Sequence, residues 1–89
     1  MTDHLDALIG QNMRQRRWMT KMTQNQLAEA VGVDSQQIQE YETGDDRVPA
    51  NRLFDIAQVL DVPMTFFFRE PEITDEYAVP KRAEKSTLF

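Results

Sequence analysis

The chain has 89 residues, with 10 Lys and Arg against 15 Asp and Glu and a formal net charge of -5. That length sets one small domain with a modest core. Hydrophobic residues at 40% and charged residues at 28% suit a folded chain rather than a wholly disordered one. There is no cysteine, and His4 is the only histidine. Disulfides, thiol chemistry, zinc-thiolate sites and a histidine-based metal cluster or triad within one chain are thereby excluded. Apolar runs such as Phe66-Phe67-Phe68 are far too short to span a bilayer. The acidic start, Met-Thr-Asp-His-Leu-Asp, lacks the basic and apolar blocks of a signal peptide, so the expected compartment is the cytoplasm, with no membrane contact. Bulk acidity weighs mildly against nucleic acid as a partner. The charge is uneven, however. Residues 10–69 carry seven basic and eight acidic side chains, so the middle is nearly neutral and the excess acid sits at the ends.

In chain order, the first helix is predicted from Asp3 to Thr20. Leu5, Leu8, Ile9 and Met13 recur at helical spacing as one apolar stripe, with Trp18 and Met19 expected to close the end of the core. Gly10 interrupts the stripe at a cost in helix propensity. Arg14, Arg16 and Arg17 crowd the C-terminal half, where cations suit the helix dipole. Thr23, with Gln26 three residues on, has the form of a capping box that opens a second helix. Leu27 and Val31 share a face of it, and Gly32 can take the left-handed conformation that ends it. Asp34, with Gln37 three residues later, repeats the capping signal for a third helix from Ser35 to about Thr43, stopped by Gly44. Asp45, Asp46 and Arg47 form a polar loop. Pro49 introduces a fourth helix from about Ala50 to Leu60, with Leu53, Ile56, Ala57 and Leu60 as its buried stripe.

Asp61-Val62-Pro63 ends that helix, and Pro63 can start a short fifth one through Phe68. From Arg69 onward the helical pattern fails. The reading is an all-α domain over residues 1–69, built of five short helices, followed by a tail over residues 70–89. The tail is either disordered, part of a dimer contact, or ordered against a partner through Ile73, Tyr77 and Val79.

Two short helices joined by a tight glycine-containing turn make a helix-turn-helix. Small Ala28 lets the third helix cross closely, Gly32 tolerates positive φ, and Ile38 plugs the angle between the helices. The run Thr23-Gln24-Asn25-Gln26-Leu27-Ala28-Glu29-Ala30-Val31-Gly32-Val33 resembles the helix-turn-helix of the phage repressor and Cro-like family, also called XRE-like regulators. The similarity continues through Ile38–Gly44 and Asn51–Pro63, and covers roughly Ile9 to Phe68. The resemblance implies a five-helix lambda-repressor-like DNA-binding domain with a C-terminal extension. It also implies a sequence-specific transcriptional regulator, most simply a repressor that binds a palindromic operator as a homodimer.

Helical geometry at 100° per residue supports a reading face independently. On the third helix Ile38, Tyr41 and Glu42 fall on one side, while Gln36, Glu40 and Thr43 fall opposite, flanked by Gln37 and Gln39. Ordinary solvation is the plain explanation of such a face, but an amide can bond adenine N6 and N7 together. By resemblance, Gln24 at the start of the second helix, with Ser35, Gln36, Gln37, Gln39 and Glu40, are the base-contacting candidates. Glu40 either accepts from cytosine N4 or merely repels phosphate. Arg14, Arg47, Asn51 and Arg52 are the phosphate-contacting candidates, the start of the fourth helix adding free N–H groups. Arg16 and Lys21 are read as solvated surface charges.

The resemblance also pairs Arg17 with Glu42 as a structural ion pair tying the first helix to the third. Two departures stand out. Lys21 occupies a position where many relatives have Gly, so that turn is either strained or differently built, and Asp45 and Asp46 stand where relatives often carry bases, which weakens the phosphate grip. Met64, Phe66, Phe67 and Phe68 are read as an isologous dimer contact, against the plainer reading that two of the phenylalanines complete the core. The alternative function is a protein-interaction module on the same fold, such as an antitoxin, antirepressor or transcription bridging factor, engaging its partner through the tail. No cofactor is implied. No phosphate loop, metal cluster or nucleophile–base arrangement suggests an enzyme.

Overall fold

The structure, a computed structural model, describes residues 4–70; the tail from residue 71 onward, with Ile73, Tyr77 and Val79, lies outside the described residues. Four α-helices are followed by one short 3-10 helix: α1 His4–Met19, α2 Gln24–Val31, α3 Ser35–Thr43, α4 Ala50–Leu60, and the 3-10 segment Met64–Phe68. The fifth helix is thus a tighter 3-10 element, in keeping with its five residues, too few for several α-helical bonds.

Local signals decide most boundaries. The Thr23 hydroxyl accepts from Gln26 N, and the Gln26 side chain accepts from Thr23 N, so the capping box at α2 is complete. At α3 only half of the box forms. The Asp34 carboxylate accepts from Gln37 N at 2.9 Å, but the Gln37 side chain is drawn away to Asp46. Gly32 and Gly44 both end their helices at φ +83°. Lys21 and Asp61 take the same left-handed conformation without being glycine, at φ 60° and 59°. After α1, Lys21 N donates to Trp18 O and Met22 N to Arg17 O, the paired bonds of a Schellman turn with lysine in the glycine position.

The core gathers Ile9 and Met13 of α1, Leu27, Ala28 and Val31 of α2, Ile38 and Tyr41 of α3, Leu53, Ile56, Ala57 and Leu60 of α4, and Phe67. α1 packs on α3 and on the 3-10 helix, and α2 packs on α3 and α4. Two parts of the predicted α1 stripe differ. Leu5 is exposed. Trp18 and Met19 do not close the core. They are 62% and 59% exposed, and Met22, just past the turn, packs against the core at this end instead.

Gly10 is a packing device rather than a lapse in the stripe. It is buried against α3, and a Cβ there would lie within 3.0 Å of the backbone oxygens of Tyr41 and Glu42. Asn12 is fully buried, and its Nδ2 donates to the carbonyls of Phe67 and Arg69, both at 2.8 Å. That side chain fastens the 3-10 helix to α1.

Candidate nucleic-acid interface

The element that would read a duplex is α3, and three supports hold it at a fixed angle. Ala28 and Ile38 are buried at its crossing with α2. Gly10 brings the α1 backbone close to its C-terminal turn. The third support is ionic: Arg17 Nε donates to Glu42 Oε2 at 2.6 Å and Arg17 Nη2 to Glu42 Oε1 at 3.0 Å, a fork-to-fork pair between α1 and α3. Both side chains are almost wholly buried, at 9% and 0% exposure. Arg17 Nη1 also donates to Met22 O, and Gln24 Nε2 to Glu42 Oε1 at 3.0 Å. Glu42 therefore joins α1, α2 and α3 at one carboxylate. Gln24, read as a base-contacting residue, is half-buried and engaged here.

The opposite side of α3 faces outward. Gln36, Gln39 and Thr43 are exposed, and Ser35, Gln37 and Glu40 are half-buried. Ser35, Gln36, Gln39, Glu40, Thr43 and Asp45 line one open depression along this side. Gln36 Nε2 lies 3.4 Å from Glu40 Oε2, and Gln37 Nε2 donates to Asp46 Oδ2 at 2.9 Å. Asp46 itself folds back on the helix, its N–H donating to Glu40 O. Its role beside Gln37 has no signal in the sequence, since the loop conformation that delivers it is not encoded by spacing. A second open groove, of about 650 Å³, separates the end of α1 from the starts of α2 and α3, with Trp18, Lys21, Asn25 and Ser35 on its walls.

The phosphate candidates and Arg16 divide into two groups. Arg14 is exposed, with its guanidinium 5.4 Å from the centre of the Trp18 ring and 3.8 Å from Glu42 Oε1. Asn51 is exposed in the first turn of α4, and Arg47 is exposed with a contact to Asp6 at 3.4 Å. Arg16 and Arg52 are turned inward. Arg16 Nε donates to Leu60 O at 2.9 Å, at the C-terminal end of α4, so it is not merely a solvated charge. Arg52 Nη1 donates to Val31 O at 2.7 Å, at the end of α2, so this phosphate candidate already serves a helix terminus. Both arginines satisfy carbonyls that helix ends leave without partners.

The phenylalanine run is split. Phe67 has 0% exposure and belongs to its own chain's core, so it is not available as a dimer contact. Phe68 is exposed, and Met64 and Phe66 are half-buried. Phe66 meets Phe67 edge to face, and the Arg69 guanidinium lies 4.1 Å from its ring centre. The open remainder of the predicted patch is therefore Met64, Phe66 and Phe68. Among the described residues no helix is long and apolar enough to cross a membrane.

A helix-turn-helix family model matches residues 13–67. The chain is 49% identical over 72 residues to an uncharacterized transcriptional regulator in the ATPase CF(0) region of Rhodospirillum rubrum, covering 81% of this chain and 67% of that protein. It is 42% identical over 83 residues to an uncharacterized HTH-type transcriptional regulator of Sinorhizobium medicae, covering 93% of this chain and 60% of that protein. The chain thus spans 60–67% of the length of these relatives. Among solved structures, the restriction-modification controller protein C.AhdI from Aeromonas hydrophila superposes with a TM-score of 0.68 at 25% identity, over 71% of this chain and 96% of that one.

Proposed function

Because the chain belongs to the XRE-type helix-turn-helix family of transcriptional regulators, we propose that it binds duplex DNA sequence-specifically and represses transcription as a homodimer on a palindromic operator. One recognition helix, α3, enters the major groove of each half-site. The observation that carries this reading is the division of α3: Ile38, Tyr41 and Glu42 are buried, while Gln36, Gln39 and Thr43 stay open. Ser35, Gln36, Gln37, Gln39 and Glu40 are the base-facing set. Gln24 joins them at the edge, held by Glu42. Arg14, Arg47 and Asn51 position the backbone, and the first turn of α4 offers N–H groups to a phosphate. Met64, Phe66 and Phe68 form the face between two copies. Repression follows by occlusion, since a bound dimer covers the promoter.

The nearly neutral domain makes affinity modest and strongly salt-dependent. The test is duplex binding by the purified chain across a salt series, with and without Gln36→Ala. The reading requires affinity that falls steeply with salt and a selected sequence that Gln36→Ala no longer distinguishes. Absence of duplex binding at low ionic strength overturns it.

A second reading has its own observation. Trp18, Met19, Phe54 and Phe68 are exposed, and a protein-interaction module on the same fold would use such residues. Binding through them would be indifferent to Gln36→Ala.

A further inference from the structure

Within the 3-10 segment Met64–Phe68 the buried residue is Phe67, and the exit of the segment closes loosely, Arg69 N–H reaching Phe66 O at 3.5 Å. α1 adds a second hold. Asn12 has 0% exposure, and its Nδ2 donates to Phe67 O and to Arg69 O, both at 2.8 Å. Carbonyls at the C-terminal end of a helix lack partners within it. Both acceptors here are carbonyls, so the nitrogen of the amide has to face them. Asn12 Oδ1 is then buried with no partner among the described residues. What this side chain contributes is its pair of donated bonds.

The two carbonyls belong to the residues on either side of Phe68. Holding both fixes the backbone around Phe68, and with it the direction in which that exposed ring leaves the surface. The bond to Arg69 has a further effect, because the Arg69 guanidinium lies 4.1 Å from the centre of the Phe66 ring and restrains it from outside. Arg16, one turn further along α1, holds Leu60 O at the end of α4. α1 thus grips the connection into the 3-10 segment as well as the segment itself.

We propose that Asn12 presets the face through which two copies associate, holding Phe68 directly and Phe66 through Arg69 before a partner arrives. The inference rests on the reading of Met64, Phe66 and Phe68 as that face. Asn12 is wholly buried and out of reach of a second copy, so it acts as a positioning residue. Association orders side chains and loops at a free-energy cost. A face that is already held avoids much of that cost, and in a two-fold dimer this applies in both copies.

The test compares the whole chain with Asn12→Leu, which keeps the size of the side chain and removes both donors. The control is Val31→Ala, a core change in α2, which packs on α3 and α4. Stability is followed by circular dichroism in urea. Self-association is followed by sedimentation velocity over a dilution series, at a temperature where every form is folded. Asn12→Leu should raise the Kd of the dimer by about tenfold. Val31→Ala should leave it within about twofold of the parent, although it too lowers the urea midpoint. An unchanged Kd in Asn12→Leu overturns the inference, as does an equal rise in Val31→Ala, which would mark a general effect of lost stability.

A second measurement leaves Asn12 in place. Phe68→Ser lacks part of the face and supplies a monomer. In it the side-chain amide protons of Asn12 should stay protected from solvent exchange by NMR, while those of exposed Asn25 exchange rapidly. Rapid exchange at Asn12 overturns the inference, since the face would then be ordered only on association. Failure of the underlying reading looks different. The parent itself then stays monomeric at every concentration, which removes the face and the inference together.

Discussion

Gly10 of α1 lies directly against the main-chain carbonyl of Tyr41 in α3, closer than any side chain would allow. The contact is backbone to backbone, so neither partner can rotate away. Gly10→Ala should therefore destabilise the fold by about 3 kcal/mol, the upper part of the range for overpacking, despite alanine's better helix propensity. Thermal or urea unfolding followed by circular dichroism checks this. A melting temperature equal to that of the parent would contradict the close crossing.

The Arg17–Glu42 pair makes a prediction about asymmetry. Glu42→Ala leaves the Arg17 guanidinium buried with no counter-charge and only the Met22 carbonyl as partner, and should cost about 3–5 kcal/mol. Arg17→Met alone leaves the buried carboxylate only the Gln24 amide and the more distant Arg14, and should cost a similar amount. The combined Arg17→Met, Glu42→Leu variant should lie much nearer the parent than the sum of the single changes, because the two desolvation penalties disappear together. A double-mutant cycle by chemical denaturation measures the difference.

Lys21 holds a left-handed conformation at φ 60°. Lys21→Gly should stabilise the chain by about 0.5–1 kcal/mol, the relief of that conformation exceeding the extra freedom glycine gains when unfolded. The gain should appear as a raised denaturation midpoint with an unchanged slope.

Phosphate and base contacts should separate under salt. Arg14→Ala should weaken binding to selected and mixed-sequence duplexes alike, and lower the slope of log affinity against log salt by about one. Gln36→Ala should leave that slope unchanged while flattening preference between sequences. Fluorescence anisotropy over a salt series distinguishes the two patterns.

The phenylalanines should differ although they adjoin one another. Phe67→Ala empties a core site and should cost about 3–5 kcal/mol of stability. Phe68→Ser should leave the unfolding midpoint of the isolated chain within about 0.5 kcal/mol of the parent and shift sedimentation toward the monomer.

Features encoded over a few residues were legible in the sequence. The Thr23–Gln26 box, the glycine at 32 and the buried face of α3 each depend on spacings within one or two turns, and each appears where periodicity and capping chemistry put it. Of the features that depend on distant partners, the Arg17–Glu42 pair was reached only through the family resemblance, and the others were not legible. Asn12 meets carbonyls 55 and 57 positions away, Arg16 one 44 positions away, and Arg52 one 21 positions away. Nothing in their neighbourhoods distinguishes them from surface polar residues. Trp18 is different: at 100° per residue it stands about 140° round α1 from Met13, off the buried stripe, and it meets the Arg14 guanidinium instead of the core.

The inward turn of Arg16, Arg17 and Arg52 bears on control of a promoter. Cations bound into the scaffold do little to anchor a polyanion, so on the proposed function a solitary subunit dissociates readily. Sustained silencing then demands that two subunits arrive as a unit, which makes the genetic response thresholded. The governing variable becomes how much of the protein the cell accumulates.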